Sequence, residues 1–503
     1  MNKLGIELSQ VEAQLIRLRE GFSPIPLLRP CTIGDGILSF SSAQLESFVK
    51  IYDEKIAGLG RAMKFVPASG AASRMFQDLL ELRCELRAQV AISQESEKSL
   101  SFFSSLNDFP FYESLEFELN QQHLSLKECL QQKQYLKILD ALLGPGGLDY
   151  DAAPKALIPF HRYPDEVRTA LEEHCVEAQD YLASSRKSCR LHLTVPEDFL
   201  EKIKEFARSF LQKPNFRHFD YQIDFSVQNA ATHSLAVDRD YHPLRHAEGT
   251  LVFRPAGHGA LLQNLDALQA DIVFIKNIDN VVDDSRRVFQ AFYKKALGGI
   301  LASVQEKIFG YLQRLQRENP SYEIIDAMFE ELAVYFSDLR DLKFEHPEEK
   351  KKCLNQRLNR PLRVCGMVRN TGKPGGGPFW VQMKDGSVLP QIVESAQIDF
   401  DQPTQKEILQ TATHFNPVDI VCAVRDFWGQ PFSLADYVNS DWGLVVKKSL
   451  GGICLQSLEL PGLWNGGMAY WNSIFVEVPE ETFCPVKTLW DLNRGLPPGL
   501  FKG

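Results

Sequence analysis

The chain has 503 residues, which is more than one ordinary hydrophobic core holds and predicts two or three domains. Hydrophobic residues make up 44% of it and charged residues 24%, and these globular proportions exclude a largely disordered chain. The formal net charge of -10 excludes general electrostatic attraction to nucleic acids or anionic membranes, so we expect neither as a partner.

The N-terminal 22 residues predict an amphipathic helix, with Leu8, Leu15 and Leu18 at helical spacing. The sequence contains neither a secretory signal core nor an uninterrupted apolar run of about 18 residues. The ten cysteines are spread singly from Cys31 to Cys484 without a CxxC pair, which is typical of reduced thiols and not of a zinc site. We therefore expect a cytoplasmic protein.

Residues 64–67 predict a short strand that runs into a small-residue loop at 68–73, and a helix is expected to open at Met75. Residues 77–150 are polar and rich in helical patterns, and we interpret them as a helical insertion. After residue 150, strands and helices alternate as they do in an open α/β sheet. Strands are predicted at 190–195, 221–226, 251–253 and 272–275, and helices at 196–211, 260–268 and through most of 285–340.

The pattern changes after a charged stretch at residues 345–352, which we interpret as a domain boundary. Beyond residue 362 short strands, glycines and aromatic residues dominate, and four of the six tryptophans follow residue 440. The sequence thus predicts an N-terminal helical segment at 1–60, an α/β domain at 61–345 that carries the 77–150 insertion, and a C-terminal mixed α/β domain at 360–503.

The first motif with chemical meaning is the loop after the strand at 64–67. Small side chains there allow the backbone to approach a phosphate, and the following helix N-terminus offers N–H donors. Arg74 adds a planar cation suited to phosphate oxygens, although such a turn also occurs as a plain tight connection. The loop residues are Ser69, Gly70, Ala71, Ala72 and Ser73.

A second motif is the segment Pro154-Lys155-Ala156-Leu157-Ile158-Pro159, in which Lys155 stands between two prolines after a glycine-rich turn. A lysine in so restricted a segment is either a phosphate ligand or an ordinary surface lysine. The segment alone does not decide between the two.

A third motif joins the glycine-containing loop Pro255-Ala256-Gly257-His258-Gly259 to an apolar strand that ends in Asn277-Ile278-Asp279-Asn280. The carboxyl ends of parallel strands form the edge where α/β enzymes bind ligands. A carboxylate at that edge suits Mg²⁺, which commonly takes one or two carboxylates together with substrate phosphates. The alternative is an Asp that caps the end of the strand.

Taken together, these motifs resemble the sugar-1-phosphate nucleotidyltransferases, and in particular the UDP-sugar pyrophosphorylases and a bacterial subgroup of about this length. The segment Phe483-Cys484-Pro485-Val486-Lys487-Thr488 is similar to one near the end of the uridylyltransferase branch. The resemblance implies a GT-A-like (Rossmann-like) α/β nucleotidyltransferase domain. This chain departs from the family at two loop glycines, which are Ser69 and Ala72 here, and in the longer interval from Arg74 to Lys155.

This resemblance implies a reaction that joins a nucleoside triphosphate, with UTP favoured, to a sugar-1-phosphate and releases pyrophosphate. It implies catalytic roles for Arg74, Lys155, Asp279 and Lys487, with Asp279 as the Mg²⁺ ligand. Nucleotide-binding residues are then expected in the 69–73 loop and at Gln228, Gly257, His258 and Gly259. For the sugar we expect Gly375, Gly376, Gly377 and Asn465, from two glycine- and aromatic-rich strings whose alternative role is structural.

Two other functions are compatible with the same sequence. A glycosyltransferase that consumes a nucleotide sugar would also carry a metal-binding Asp at a strand end, but it has less use for the phosphate-binding cations Arg74 and Lys155. A catalytically silent nucleotide- or sugar-binding protein is the other, and the substitutions at Ser69 and Ala72 favour it. The base, the sugar and the oligomeric state stay open.

Overall fold

A computed structural model of the chain describes residues 4–493, apart from residues 71, 92, 269, 319, 341, 373–375 and 451–452. Its helices are α1 Leu8–Glu20, α2 Ser42–Tyr52, α3 Gln77–Ala88, α4 Gln94–Ser99, α5 Ser101–Ser104, α6 Tyr112–Gln121, α7 Leu126–Gln131, α8 Tyr135–Leu143, α9 Ala170–Tyr181, α10 Leu200–Phe210, α11 Leu262–Ala267, α12 Asp284–Arg317, α13 Tyr322–Ala333, α14 Pro347–Leu358 and α15 Pro403–Gln410. Its strands are β1 Leu27–Pro30, β2 Thr32–Ile33, β3 Gly36–Leu38, β4 Ala62–Pro67, β5 Pro159–Arg162, β6 Val167–Thr169, β7 Ser188–Thr194, β8 Asp220–Ser226, β9 Ser234–Leu235, β10 Phe253–Arg254, β11 Ile272–Lys276, β12 Leu362–Arg369, β13 Gly377–Gln382, β14 Val388–Val393, β15 His414–Phe415, β16 Asp419–Ala423, β17 Leu444–Leu450, β18 Ile453–Glu459 and β19 Asn472–Glu477.

A mostly parallel sheet organises the molecule, with the strand order β2-β3-β19-β12-β16-β11-β4-β7-β8 and with β15 beside β12. Strands β11, β4, β7 and β8 are parallel to one another, whereas β16 runs antiparallel to both of its neighbours. Parallel strands are usually covered on both faces, and β4 and β11 are buried along nearly their whole length. The predicted α/β fold class is confirmed.

Side chains of β11 alternate between two hydrophobic cores. Ile272 and Phe274 belong to a large core that includes residues of α9 and α12, while Val273 and Ile275 belong to a second core on the other face. This alternation follows from the two-residue period of a strand. Strand β11 is therefore packed on both faces, and this packing fixes the position at which the following turn begins.

Helix α12 packs closely against α2 because two adjacent glycines face it. A Cβ at Gly299 would lie 1.9 Å from the carbonyl oxygen of Phe48, and one at Gly298 would lie 2.4 Å from Cδ2 of Tyr52. Only glycine permits this approach of the two backbones. The 34-residue helix begins at Asp284, so its packing also anchors the residues just before it, which carry the third motif.

Most elements predicted from the sequence are present. Strands β4, β7, β8 and β11 and helices α1, α10, α11, α12 and α13 lie where they were expected, and residues 77–150 contain α3 to α8. The prediction of a strand at 251–253 is wrong, because only Phe253 of that range belongs to a strand. That strand is the two-residue β10, which pairs with β9. The loop at 68–73 opens first into a 3₁₀ turn, Ser73–Phe76, before α3 begins.

Strands from the C-terminal part of the chain continue the sheet that the central part begins. Strand β16 pairs with β11, and β12 pairs with both β16 and β19. The sheet thus runs across the boundary predicted near residues 345–360, and the division of the chain into domains stays a prediction. Among the described residues, no helix combines the length and apolar character that a membrane span requires.

Candidate active site

A cavity of about 730 Å³ lies at the carboxyl ends of β4, β8 and β11. This is the edge at which open α/β sheets bind ligands, and the volume is in the range of small-molecule sites. Its lining residues are Pro67, Ser69, Gly70, Ser73, Arg74, Lys155, Gln228, Arg254, Pro255, Gly257, His258, Leu261, Asn277, Ile278, Asp279, Glu459, Trp464 and Lys487. Segments that are far apart in the sequence therefore converge on one pocket.

The phosphate-loop candidate reaches this pocket in part. Ser69, Gly70, Ser73 and Arg74 line the cavity. Ala72 does not, because its side chain is fully buried and its N–H donates to the carbonyl oxygen of Ala153 at 2.9 Å. The expected nucleotide contact of Ala72 is therefore not supported, and Ala71 lies outside the described residues.

The same backbone contact brings Arg74 and Lys155 together despite the long helical insertion between them. Besides the bond from Ala72 to Ala153, the N–H of Lys155 lies 3.5 Å from the carbonyl oxygen of Gly70. These two contacts close the insertion at its base. Both cations consequently face the same cavity.

Lys155 is directed at the end of β11. Its Nζ donates to Oδ2 of Asp279 at 2.9 Å and to the carbonyl oxygen of Val486 at 3.2 Å. Both partners of this ion pair are largely buried, with 13% and 19% of their side chains exposed. The other carboxylate oxygen, Oδ1, accepts no hydrogen bond from the described residues, so it is available to a ligand.

The C-terminal segment lies along the turn that carries Asp279. The N–H of Val486 donates to the carbonyl oxygen of Asp279 at 2.8 Å, and the N–H of Cys484 donates to Oδ1 of Asn280 at 3.1 Å. A β-bridge joins Asn280 to Pro485. This docking places Lys487 at the mouth of the cavity, although it is more than two hundred residues from Asp279 in the sequence.

Another wall is formed by the 255–259 loop. Gly257 has a φ of 74°, and a Cβ there would lie 2.9 Å from Oε2 of Glu459. A Cβ at Gly259 would lie 2.2 Å from the carbonyl oxygen of Pro461. Of the two glycines, Gly257 lines the cavity, while Gly259 is buried and lets the loop lie against the segment that follows β18.

The side chain of His258 has a defined orientation. Its Nδ1 accepts the N–H of Leu463 at 3.0 Å, so the proton of the neutral ring is on Nε2, which lies 3.4 Å from Oε1 of Glu394. The ring stacks on Trp464 with a centroid separation of 4.1 Å. Burial alone would raise the pKa of the Glu394 carboxyl, but hydrogen bonds from His258 and Asn465 lower it, so Glu394 is ionised behind this wall.

The residues expected to bind the sugar lie behind the pocket. Asn465 is buried and its Nδ2 donates to Oε1 of Gln397 at 3.2 Å, so it does not line the cavity. Gly376 and Gly377 pack tightly against β14 and β15, where a Cβ would lie 2.8 Å from the carbonyl oxygen of Val393 or 3.1 Å from that of His414. These three expectations are not supported, and Gly375 lies outside the described residues.

Four polar or aromatic lining residues were not among the site residues expected from the sequence: Arg254, Asn277, Glu459 and Trp464. Arg254 precedes the 255–259 loop, and its Nε is buried without a hydrogen-bond partner among the described residues. Glu459 ends the hairpin of β17 and β18, and no local pattern marks it. Only Asn277 and Trp464 could have been found, because each lies within a string that was already noted for other residues.

Beneath the end of β11 lies a fully buried cluster of charged side chains. Lys276 is 2.7 Å and Lys64 is 3.3 Å from carboxylate oxygens of Glu177, and Lys294 is 2.5 Å from Oδ1 of Asp419. Three lysines therefore share two carboxylates. Because the cluster has one cation in excess and is out of contact with water, protonation of one lysine is disfavoured. Burial, opposed by Glu177, lowers the pKa of Lys276 to about 7.

His174 links this cluster to the Asp279 turn. Its Nε2 lies 3.1 Å from the carbonyl oxygen of Ile278, and its own carbonyl oxygen accepts a hydrogen bond from Nζ of Lys64 at 3.1 Å. Burial, together with Lys64, lowers the pKa of His174 well below its ordinary value, so the ring is neutral and donates from Nε2. The buried cluster thus supports the turn from below.

We predict that the Lys276→Met variant has a flatter dependence of stability on pH between pH 7 and 9 than the parent protein. A lysine with a lowered pKa binds fewer protons in the folded state than in the unfolded state, so the free energy of unfolding rises with pH across this interval, by at most roughly 1.4 kcal/mol per pH unit for one proton. Urea unfolding at several pH values measures this slope. Parallel profiles for the two proteins would contradict the lowered pKa of Lys276.

Comparisons with known proteins give the following similarities. A UDP-N-acetylglucosamine pyrophosphorylase from Trypanosoma brucei, in complex with an inhibitor, shares 12% identity over 96% of this chain and 74% of that chain, with a TM-score of 0.48. A UDP-glucose phosphorylase from Trypanosoma brucei shares 14% identity over 98% of this chain and 76% of that chain, with a TM-score of 0.44. A UDP-glucose pyrophosphorylase from Leishmania major shares 14% identity over 98% of this chain and 76% of that chain, with a TM-score of 0.42. Identities and TM-scores this low do not support an inference about function.

Curated protein sequences give no match. A family model does match, over residues 1–495, and its description is "Domain of unknown function (DUF4301)". The matched range leaves out only the last eight residues of the sequence. The chain therefore belongs to the DUF4301 family.

Proposed function

We propose that this protein is a nucleotidyltransferase that joins UTP to a sugar-1-phosphate and releases pyrophosphate. The observation that carries the proposal is the convergence of Arg74, Lys155, Asp279 and Lys487 on one cavity at the carboxyl edge of the sheet. These four side chains come from four distant segments, and they are the residues whose motifs resemble those of the sugar-1-phosphate nucleotidyltransferases.

The charge of the cavity suits two anionic substrates. Four cations, Arg74, Lys155, Arg254 and Lys487, line it together with two carboxylates, Asp279 and Glu459. A triphosphate and a sugar phosphate repel each other, so a catalyst for their reaction has mainly to neutralise and align them. A binding site for neutral sugars would need fewer cations.

Gln228 lines the cavity and offers an amide to the base of the nucleotide. The Thr232 hydroxyl donates to the carbonyl oxygen of Asn229 at 2.6 Å, so it accepts a hydrogen bond from Nε2 of Gln228, which is 3.1 Å away. The acceptor Oε1 and the second N–H of the amide are left for a base, and an amide with both groups can pair with the edge of any base. The preference for UTP therefore rests on the resemblance to the uridylyltransferase branch.

Asp279 is the proposed ligand of Mg²⁺. The carboxylate fits this ion, because Mg²⁺ commonly uses one or two protein carboxylates and completes its coordination with water and substrate phosphates. Oδ1 of Asp279 accepts no hydrogen bond from the described residues, and Asn277 lines the cavity two residues earlier. When bound, the ion would screen the negative charge between the two substrates.

In the proposed reaction an oxygen of the sugar phosphate attacks the α-phosphorus of UTP in line, and the bond from that phosphorus to the bridging oxygen of pyrophosphate breaks. Arg74 and the N–H groups of the loop residues that line the cavity, Ser69, Gly70 and Ser73, bind the β- and γ-phosphates and stabilise the leaving group. Lys155 lies near the α-phosphate, and Lys487 holds the sugar phosphate. The attacking oxygen is already ionised, so the step needs no general base.

Pyrophosphate release by the purified protein with Mg²⁺ tests the reaction, across four nucleoside triphosphates and a panel of sugar-1-phosphates. We expect release only when UTP and one sugar phosphate are present together. Hydrolysis of a nucleotide sugar without pyrophosphate exchange would instead favour a glycosyltransferase. Stabilisation by UTP without release across the panel would favour a binding protein.

We predict that Asp279→Asn lowers turnover by roughly a hundredfold or more, because the metal loses its charged ligand. An amide oxygen can still accept the hydrogen bond from Lys155, so the fold should be retained, as judged by thermal unfolding. Asp401→Asn, which makes the same change at an exposed position outside the cavity, is the matched control. Equal activity of the two variants would remove Asp279 from the metal role.

We also predict that Lys487→Ala raises the KM for the sugar phosphate by about tenfold, since a charge-assisted contact to one substrate is lost. The KM for UTP should change much less. Lys406→Ala, an exposed lysine elsewhere, controls for the change in net charge. A change confined to UTP would contradict the assignment of Lys487 to the sugar phosphate.

A further inference from the structure

A second cavity, of about 400 Å³, lies between α14 and the hairpin of β13 and β14. It shares no lining residue with the large pocket. Its polar side chains include Asp338, Lys352, Arg357, Arg360, Asp385 and Tyr470. We call it the α14 cavity, and its volume is sufficient for a small metabolite.

Arg357 is a buried cation with unused donors. The residue is 7% exposed, and one of its nitrogens, Nη2, donates to Oδ2 of Asp338 at 2.8 Å. Its Nε and Nη1 are buried without a partner among the described residues, and so is Oδ1 of Asp338. Unpaired buried donors on a charged group are costly, and a ligand with anionic oxygens would satisfy them.

Arg360 adds a second guanidinium without a carboxylate of its own. Its Nε donates to the carbonyl oxygen of Gln356 at 3.2 Å, and the described residues offer it no ion pair. Burial, and then the charge of Arg357, lower the pKa of Arg360. The charges of the two guanidinium groups therefore repel each other, and of the two it is Arg357 that forms the ion pair with Asp338.

The other carboxylates of the cavity are held by local hydrogen bonds. Asp385 accepts the N–H and the hydroxyl of Ser387 at 3.0 and 2.6 Å, and Glu349 accepts the N–H of Glu345 at 3.2 Å. Three cations, Lys352, Arg357 and Arg360, therefore line the cavity with three carboxylates, and its unused donors among the described residues are the buried Nε and Nη1 of Arg357. Planar, fixed guanidinium groups are the side chains best suited to phosphate and carboxylate oxygens.

We propose that the α14 cavity is a second binding site, for a small metabolite that carries a phosphate or a carboxylate group. The guanidinium groups of Arg357 and Arg360 bind its anionic oxygens, with Lys352 at the rim. Tyr470 offers a hydroxyl and an aromatic surface to the rest of the molecule. This assignment does not depend on the function proposed for the large pocket.

Thermal unfolding with inorganic phosphate or citrate, at constant ionic strength, tests the proposal. The measurements use the Arg74→Gln/Lys487→Gln protein, which lacks two of the four cations of the large pocket, and the comparison with the Arg360→Gln variant below assigns the stabilisation to the α14 cavity. We expect saturable stabilisation by at least one of the two anions. Stabilisation by phosphate alone would indicate a phosphorylated ligand, and by citrate alone a carboxylate ligand.

Adding Arg360→Gln to this protein should weaken the apparent anion affinity by about tenfold or more, as expected for one lost charge-assisted contact. Lys350→Gln, on the same helix but outside the cavity, is the matched control and should leave the affinity unchanged. Because Arg360 is only half-buried, its replacement should fold, and the unfolding midpoint without anion checks this. Stabilisation that survives Arg360→Gln would overturn the proposal.

Asp385→Asn gives an independent test with the opposite sign. It removes a negative charge that faces the guanidinium groups, while its side-chain oxygen can still accept the N–H of Ser387, so anion binding should become tighter. A purely structural role of the two arginines would not produce this gain. Unchanged or weaker binding in Asp385→Asn, or no saturable stabilisation by either anion in the parent protein, would also overturn the proposal.

Discussion

The position of Asp279 depends on hydrogen bonds that reach its turn from three parts of the chain. Nζ of Lys155 binds the carboxylate, the N–H of Val486 binds the carbonyl oxygen of the same residue, and His174 binds the preceding carbonyl of Ile278. Each bond fixes a different atom of the turn. The strand before it is buried on both faces, so the turn has little freedom.

Groups of charged side chains lie on both sides of the Asp279 turn. Above the turn, the cavity has more cations than carboxylates, which suits anionic substrates. Below it, three fully buried lysines share two carboxylates. Asp279, the proposed metal ligand, lies between the two groups.

The candidate site could be predicted from the sequence to the extent that its residues belong to local motifs. Arg74, Lys155, Asp279 and Lys487 each stand in a short string with recognisable neighbours, and the structure brings all four to one cavity. Glu459 could not be predicted, because it ends an ordinary hairpin and reaches the cavity only through packing. The glycine-rich strings do not decide between their two roles, because a glycine required by strand packing and a glycine required by a ligand look alike in a sequence.

By itself, the sequence determined the α/β class and the main strands and helices. It also determined the four motif residues, Arg74, Lys155, Asp279 and Lys487, that line the large cavity. These properties depend on neighbours within a few residues, through the periods of strands and helices and the restrictions of proline and glycine. Only the tertiary structure decided that the insertion closes at its base, that the C-terminal segment lies on the Asp279 turn, and that strands from the C-terminal part complete the central sheet. Contacts between distant segments depend on the shape and hydrogen-bonding groups of both partners, and a single sequence carries no local signal of which segments will meet.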